Sequence, residues 1–389
     1  MAWALTPLSE EQREIQRVAR DFAEREIAPN VDRWDHEQQF DEDVIGKLGE
    51  LGFLGMLLPE QYDGLGLDTL TYLVALEEIA TVDASIAVMM SVHNSLPTQM
   101  ILRWGNQEQK NRFLKPMARG EQLGAFALSE PDAGSDAAAL RTQAVRDGQC
   151  WVLNGTKAWV TSGPQAGVFL VMARTDTPHD RRGARGISAF VVTPDLPGFK
   201  LGKKEDKMGL RSSPTVQVVF DNLRVPAANL LGEEGSGFIY AMQSLDNGRL
   251  GIAAQAIGIA EAALRYSSRY ASERRQFGKP IKEFQAIQFK LADIAMRVSA
   301  GRALLHAAAT AKDRGEHVTQ FSAMAKLFAS ETAMAATSEA IQIFGGYGYV
   351  KDYPVERLFR DAKVTEIYEG TSEIQRIVIA RELYSRGLR

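Results

Sequence analysis

The chain has 389 residues, 45% apolar and 24% charged, with a formal net charge of -4. This length suggests two or three domains sharing a large core. The charge balance gives no reason to expect nucleic acid or an anionic membrane as a partner.

The N-terminal residues Met1 to Pro7 carry no basic segment followed by an apolar core, so no signal peptide is expected. A cytoplasmic protein is expected, or a mitochondrial matrix protein whose leader has been removed. No apolar run is long enough for a membrane span. From Ser9 to about Gly120 the pattern is helical. Ser9 and Gln12 fit a capping box, and Ile15, Val18, Ala19 and Phe22 follow at helical steps. Pro29 marks a break, Val44, Leu48 and Leu51 form a second stripe, and Pro59 to Asp68 reads as a loop. Helical spacing resumes through Leu73, Leu76, Glu77 and Ala80.

From about Gln122 to Gly232 the texture is that of strands. The Asn154-Gly155 pair between strand-like runs predicts a hairpin turn. Gly167 to Ala173, Gly186 to Thr193 and Thr215 to Phe220 read as strands, and Thr175 to Arg185 as an exposed loop. These strands are too closely spaced for helical crossovers. From about Gly235 helical spacing returns, with Ile287, Leu291, Ile294, Val298 and Leu305 on one face. Gly345-Gly346-Tyr347-Gly348 closes a long helix. The expected domains are 1–121 (helical), 122–234 (β) and 235–389 (a helical bundle).

No GxGxxG follows a strand, and neither a P-loop nor a GxSxG elbow is present, which removes three common nucleotide and hydrolase readings. Cys150 is the only cysteine, so a reducing compartment is the natural home. His36, His93, His179, His306 and His317 show no metal-ligand spacing, and no metal site is expected.

Five segments can carry chemistry. Ala127 to Asp136 is a polar loop with free backbone N–H groups and hydroxyls, suited to a planar or anionic ligand; an ordinary turn-rich linker has the same composition. Lys157 to Gly163 offers Trp159 for packing on a ring system, or as a half-buried strand residue. Glu273 to Pro280 sets guanidinium groups beside Phe277, matching phosphate geometry or a solvated helix end. Gln342 to Gly348 allows close backbone approach at a helix terminus. In Ile367 to Arg376, Glu369 precedes Gly370 just before a helix start. Thr371 or Ser372 can cap that helix, and Ser372 with Gln375 fits a capping box. A carboxylate held there beside an apolar stripe can lose water and become a stronger base, although an exposed turn glutamate fits the same spacing.

Taken in order, Ser129-Glu130-Pro131-Asp132-Ala133-Gly134-Ser135-Asp136, Lys157 to Gly163, Lys207 to Ser213, Arg274 to Gly278, Gln342 to Gly346 and Tyr368 to Thr371 resemble the acyl-CoA dehydrogenase family of flavoproteins. The resemblance runs from about Ser9 to Arg389 and is closest to the short-chain, butyryl-type branch. It implies an N-terminal helical domain, a middle β-barrel and a C-terminal four-helix bundle. It also implies FAD, a homotetramer, and electron-transferring flavoprotein as acceptor, as in fatty acid β-oxidation. By motif, Glu369 matches the base that takes the α-proton of an acyl-CoA as it becomes a trans-2-enoyl-CoA. Leu128, Ser129, Trp159, Thr161, Arg274, Phe277, Gln342, Gly346 and Thr371 match cofactor contacts. Ser135, Asp246, Arg249, Tyr368 and Gly370 match positions near the substrate. Gly248 provides no carboxylate where relatives acting on longer or isovaleryl chains carry their base, which favours Glu369. Val82 to Met90 lacks the arginine of glutaryl-type relatives, which disfavours a dicarboxylic substrate. The alternative is a related acyl-CoA oxidase or flavin monooxygenase that reacts with oxygen.

Overall fold

The computed structural model of the chain describes residues 6–177 and 183–386. Ser9 begins the first helix as its sequence predicts. Gln12 N donates to Ser9 Oγ at 3.1 Å, and Ser9 N donates to Gln12 Oε1 at 2.9 Å, so two donors left open at the helix start are satisfied. Helix α1 (Glu10–Phe22) leads to α2 (Val31–Glu37), α3 (Asp43–Glu50), α4 (Thr69–Val82), α5 (Ala84–Ser95), α6 (Pro97–Trp104) and α7 (Gln107–Ala118). Asp68 and Asp83 cap α4 and α5 by accepting from Thr71 N and Ile86 N, each at 2.7 Å. Both helices are buried on nearly every face, so their sequences carry no solvent stripe.

Among the described residues, eight strands then form one sheet: β1 (Leu123–Ala127), β2 (Gln143–Asp147), β3 (Cys150–Thr161), β4 (Ala166–Arg174), β5 (Ile187–Val192), β6 (Phe199–Lys204), β7 (Thr215–Pro226) and β8 (Leu230–Leu231). Their order is β6-β7-β3-β2-β4-β5-β8, with β1 parallel beside β4. The strands build a core of their own from side chains such as Leu153, Phe169, Phe190, Val218 and Leu223.

Asn154-Gly155 is not the hairpin turn its sequence predicts. Strand β3 runs straight through it, and the β2–β3 turn falls at Gly148-Gln149, where Asp147 pairs with Cys150 and Gly148 has φ +57°. Asn154 and Gly155 instead form a bulge against β7, where the register shifts between Leu153 and Gly155. Asn154 Oδ1 accepts from Asn222 N at 2.8 Å, and any Cβ on Gly155 would overlap Thr142. A partner across the sheet therefore uses the flexibility that a turn would have taken. The stretch Thr175 to Arg185 is also not uniformly exposed. Asp176 is buried against Arg174, 2.7 Å from its Nη2, and residues 178–182 lie outside the described residues.

The C-terminal part contains α8 (Gly237–Glu273), a short hairpin of β9 (Arg275–Gln276) and β10 (Lys279–Pro280), then α9 (Gln285–Asp313), α10 (Thr319–Phe344), α11 (Val355–Thr365) and α12 (Ser372–Arg386). Helix α10 packs on α8, α9 and α12 through a buried stripe that includes Ala325, Ala329, Ala333, Ala336 and Ala340. Small side chains there let the helix axes approach closely. One apolar core joins the first and last parts of the chain, bringing Leu73, Leu76 and Ile79 of α4 together with Ile252, Ala253 and Ile257 of α8. Inside it, Arg302 of α9 pairs with Glu77 (Nε to Oε1, 2.8 Å) and Glu261 (Nη2 to Oε2, 3.0 Å). Among the described residues, no helix is long and apolar enough to cross a membrane.

Candidate active site

Between α11 and α12 the chain makes a tight turn. Tyr368 N donates to Val364 O at 3.1 Å and Ser372 N to Glu366 O at 2.9 Å. Glu369 has φ +52° and Gly370 φ +91°. A left-handed backbone on a residue with a Cβ costs on the order of 1 kcal/mol, so something must hold it. Gln375 Nε2 donates to Glu369 O at 3.1 Å and to Gly370 O at 2.8 Å, and Lys326 Nζ donates to Gly370 O at 2.8 Å. A Cβ on Gly370 would press on Gln375 Nε2 at 2.7 Å. The expected Ser372–Gln375 capping box is absent for this reason: the glutamine amide is committed to the turn carbonyls. Thr371 caps α12 instead, accepting from Ile374 N at 3.3 Å.

The turn aims the Glu369 side chain inward. Both carboxylate oxygens are buried and have no hydrogen-bond partner among the described residues. Gly248 of α8 lies against them, and any Cβ there would overlap Glu369 Oε2. Burial pushes this carboxyl up to about 7, with the positive charges of Lys326 and Arg249 opposing the shift. Arg249 is itself buried, and its Nη1 donates to Asp246 Oδ1 at 2.6 Å while its Nε has no partner. Asp246 Oδ2 accepts from Thr319 Oγ1 at 2.6 Å, which fixes the pair. Behind Glu369, Tyr368 OH donates to Gln255 Oε1, and Gln255 Nε2 donates to Ala84 O at 2.7 Å. The Glu369 backbone N–H makes no hydrogen bond among the described residues. The fold thus gathers Glu369, Arg249, Asp246, Tyr368, Gly370 and Thr371 around one turn.

A second group forms where β1 meets β3. Lys157 is completely buried, and its Nζ donates to Leu128 O at 3.0 Å and to Glu130 Oε1 at 2.8 Å. Glu130 also accepts from Arg141 N and Thr142 N, at 2.6 and 2.9 Å, and Ala158 N donates to Ser129 O at 2.9 Å. A second register shift in β3, between Lys157 and Val160, turns Trp159 outward at φ +62° with 62% of its surface exposed. Leu128, Ser129 and Trp159 therefore share one small region, with Thr161 at the end of β3 beside Thr215. Ser135 is exposed on the loop beyond.

A third group lines a cleft of about 870 Å³ at the end of α10, where Arg274, Phe277 and Gly346 meet Tyr270, Phe284 and Tyr347. The Arg274 guanidinium stands 5.3 Å from the Tyr347 ring centre. Phe277 is 93% exposed. Gln342 is exposed on α10 and does not line this cleft.

The sequence reading missed Lys326, Gln375, Gln255 and the Lys157–Glu130 pair as parts of these sites. Lys326 left a signal: it interrupts the small-residue stripe of α10 on its buried side, beside Ser322 and Ala329. A charged residue in that position needs a partner. The other residues act through contacts distant in sequence, which no local pattern encodes.

Three family descriptions match the chain in order: acyl-CoA dehydrogenase N-terminal domain at residues 9–121, middle domain at 125–223 and C-terminal domain at 235–384. The mouse mitochondrial short-chain specific acyl-CoA dehydrogenase is 50% identical over 97% of this chain and 90% of its own length. Butyryl-CoA dehydrogenase from Megasphaera elsdenii superposes with a TM-score of 0.95 at 46% identity, covering 97% of this chain and 99% of that one. A chain solved in work on the electron transferring flavoprotein of Acidaminococcus fermentans and flavin-based electron bifurcation gives a TM-score of 0.95 at 47% identity, over 97% and 98% of the two chains. The three matched domains and these relatives mark the chain as an enzyme of the oxidoreductase class. The chain belongs to the acyl-CoA dehydrogenase family and is an enzyme of that kind.

Proposed function

We propose that this enzyme removes hydrogen from the α and β carbons of a short- or medium-chain acyl-CoA, giving the trans-2-enoyl-CoA, with Glu369 taking the α-proton. The Glu369 carboxylate carries this reading: it is buried, has no hydrogen-bond partner, and is raised to about 7. Such a group is ionised in useful amount near neutral pH and is basic enough to accept a proton from carbon. The partner-free backbone N–H of the same residue is a donor for the thioester carbonyl, whose developing charge is best stabilised in a dry site. The Gln375 and Lys326 contacts keep the turn from relaxing, so base and donor stay in fixed relation. The short acyl length follows the named activities of the mouse and Megasphaera relatives.

The residues fit FAD. Trp159 presents an exposed indole from a strained bulge, Leu128 and Ser129 lie beside it, and the cleft at Arg274, Phe277 and Gly346 is lined by rings and a guanidinium. Indole and phenyl faces suit a planar ring, and guanidinium suits phosphate. When bound, FAD supplies the acceptor for the hydride equivalent that leaves the β carbon. Thr371, Thr161 and Gln342 complete the proposed cofactor contacts, and Ser135 and Arg249 those of the CoA arm. The electron acceptor we assign is an electron-transferring flavoprotein, a reading supported by the Acidaminococcus match. A homotetramer is supported by exposed apolar residues on the C-terminal helices, among them Phe289, Met296, Ile377 and Tyr384. A cytoplasmic location is in keeping with the free Cys150.

The test is an anaerobic titration of the flavin-loaded protein with saturated acyl-CoAs of graded length and branching. Butyryl-CoA should bleach the flavin, and Glu369→Gln should keep the flavin but resist bleaching. Full bleaching of Glu369→Gln at the parent rate would remove the carboxylate from the reaction.

A further inference from the structure

Lys326 is a lysine with no exposed surface, set in a stripe of alanines and serines on α10. Among the described residues its Nζ donates to the Gly370 carbonyl at 2.8 Å and pairs with no carboxylate in direct contact. A buried ammonium satisfied only by a neutral carbonyl is costly to keep. The Glu369 carboxylate oxygens, one residue before Gly370 on the same turn, are buried too and have no hydrogen-bond partner among the described residues. Each of these two groups offers what the other lacks.

We propose that Lys326 is a positioning residue for the Glu369 base, clamping the Gly370 carbonyl so that the turn stays left-handed and lending its positive charge to the carboxylate. This rests on the reading of Glu369 given above. Arg249 also lends positive charge to Glu369, but Asp246 holds it at 2.6 Å, Thr319 anchors that aspartate, and it does not grip the turn carbonyls. Gln375 grips the same carbonyls but brings no charge. The groups that face Glu369 are Lys326 from α10, Arg249 from α8, Tyr72 from α4 and its neighbour Tyr368. Lys326 in turn feels Glu369, Arg249, Glu366 and Glu373. Burial lowers the lysine to about 8, and Glu369 is the strongest charge opposing that fall. Each of the two charges therefore favours the ionised form of the other.

The experiment uses the full-length flavin-loaded enzyme and compares Lys326→Met, Lys326→Gln and Lys326→Arg with the parent. Isotope-edited infrared titration follows the protonated Glu369 carboxyl, identified as the band missing from Glu369→Gln. Anaerobic bleaching by butyryl-CoA gives the pH profile of the half-reaction. In Lys326→Met the infrared titration should move upward by about one pH unit or more. The half-reaction profile should follow it, and Lys326→Arg should return toward the parent. Lys326→Gln is read in the same way if the methionine variant does not fold. An unmoved titration in a folded, charge-free variant overturns the assignment of Lys326. The two ideas fail separately: bleaching that survives in Glu369→Gln rejects that glutamate as base, while the infrared titration still decides whether the lysine governs its protonation.

Discussion

The hydrogen on Gly248 Cα and the Glu369 carboxylate share a space that cannot hold a methyl group, since any Cβ at 248 would overlap Glu369 Oε2. A glycine in the middle of a 37-residue helix is otherwise unfavourable by roughly 0.5–1 kcal/mol. Gly248→Ala must therefore displace the carboxylate or the turn that carries it. Turnover with butyryl-CoA should fall on the order of 100-fold, a loss that a misplacement of about 1 Å can cause. Flavin content should stay at the parent level, and steady-state kinetics beside an absorbance spectrum will check both.

Protonation of Glu369 also governs stability. Its folded value lies above the ordinary 4.5, at about 7. The fold thus favours the neutral acid, so the contribution is full below the unfolded value and is lost as pH rises through 7. Glu369→Gln cannot ionise. It should match the parent at about pH 4 and exceed it at about pH 8.5, by at most about 3 kcal/mol from a shift of this size. Chemical denaturation of both proteins at the two pH values measures the difference.

The pH dependence of the chemical step has the opposite sign. The reaction needs the carboxylate, so the anaerobic half-reaction should slow as pH falls through about 7 and level off above it. Stopped-flow bleaching across that range gives the profile. A flat profile would exclude Glu369 as the titrating base.

Lys157→Met tests the second group of residues. It leaves the Glu130 carboxylate buried without its cation and frees the Leu128 carbonyl. Removing one partner of a buried pair costs about 3–5 kcal/mol. The loop carrying Leu128 and Ser129 should loosen, and the purified variant should lose flavin on dialysis where the parent retains it. Glu130→Gln with Lys157→Met should recover part of the stability.

Much of the architecture was legible because its signals are local. The Ser9–Gln12 box, the helical stripe of α9 and the glycine stop of α10 each depend on residues a few positions apart. The Asn154-Gly155 pair misled for the converse reason: the partner that decides its conformation, Asn222, lies 68 residues away across the sheet. The same division runs through the site. The turn at Glu369 was legible from the glycine after it and the helix start beyond, while local spacing fitted a buried and an exposed glutamate alike. The residues that hold its turn were not, because Lys326 lies 44 positions from Gly370 and Gln255 lies 113 from Tyr368. Gln375 was read as a helix cap because capping is the local use of a glutamine at that spacing. Two backbone carbonyls exposed by a left-handed turn took it instead.

The buried pairing of Arg302 with Glu77 bears on how the protein is made. Glu77 leaves the ribosome 225 residues before its partner, so the early helices wait with a bare acidic group and an open apolar flank. The central strands, with their private core, can close in the meantime. Nascent chains should thus pass through a stage in which the middle is finished before the beginning, and chaperone binding should concentrate on α4 until α9 has been synthesised.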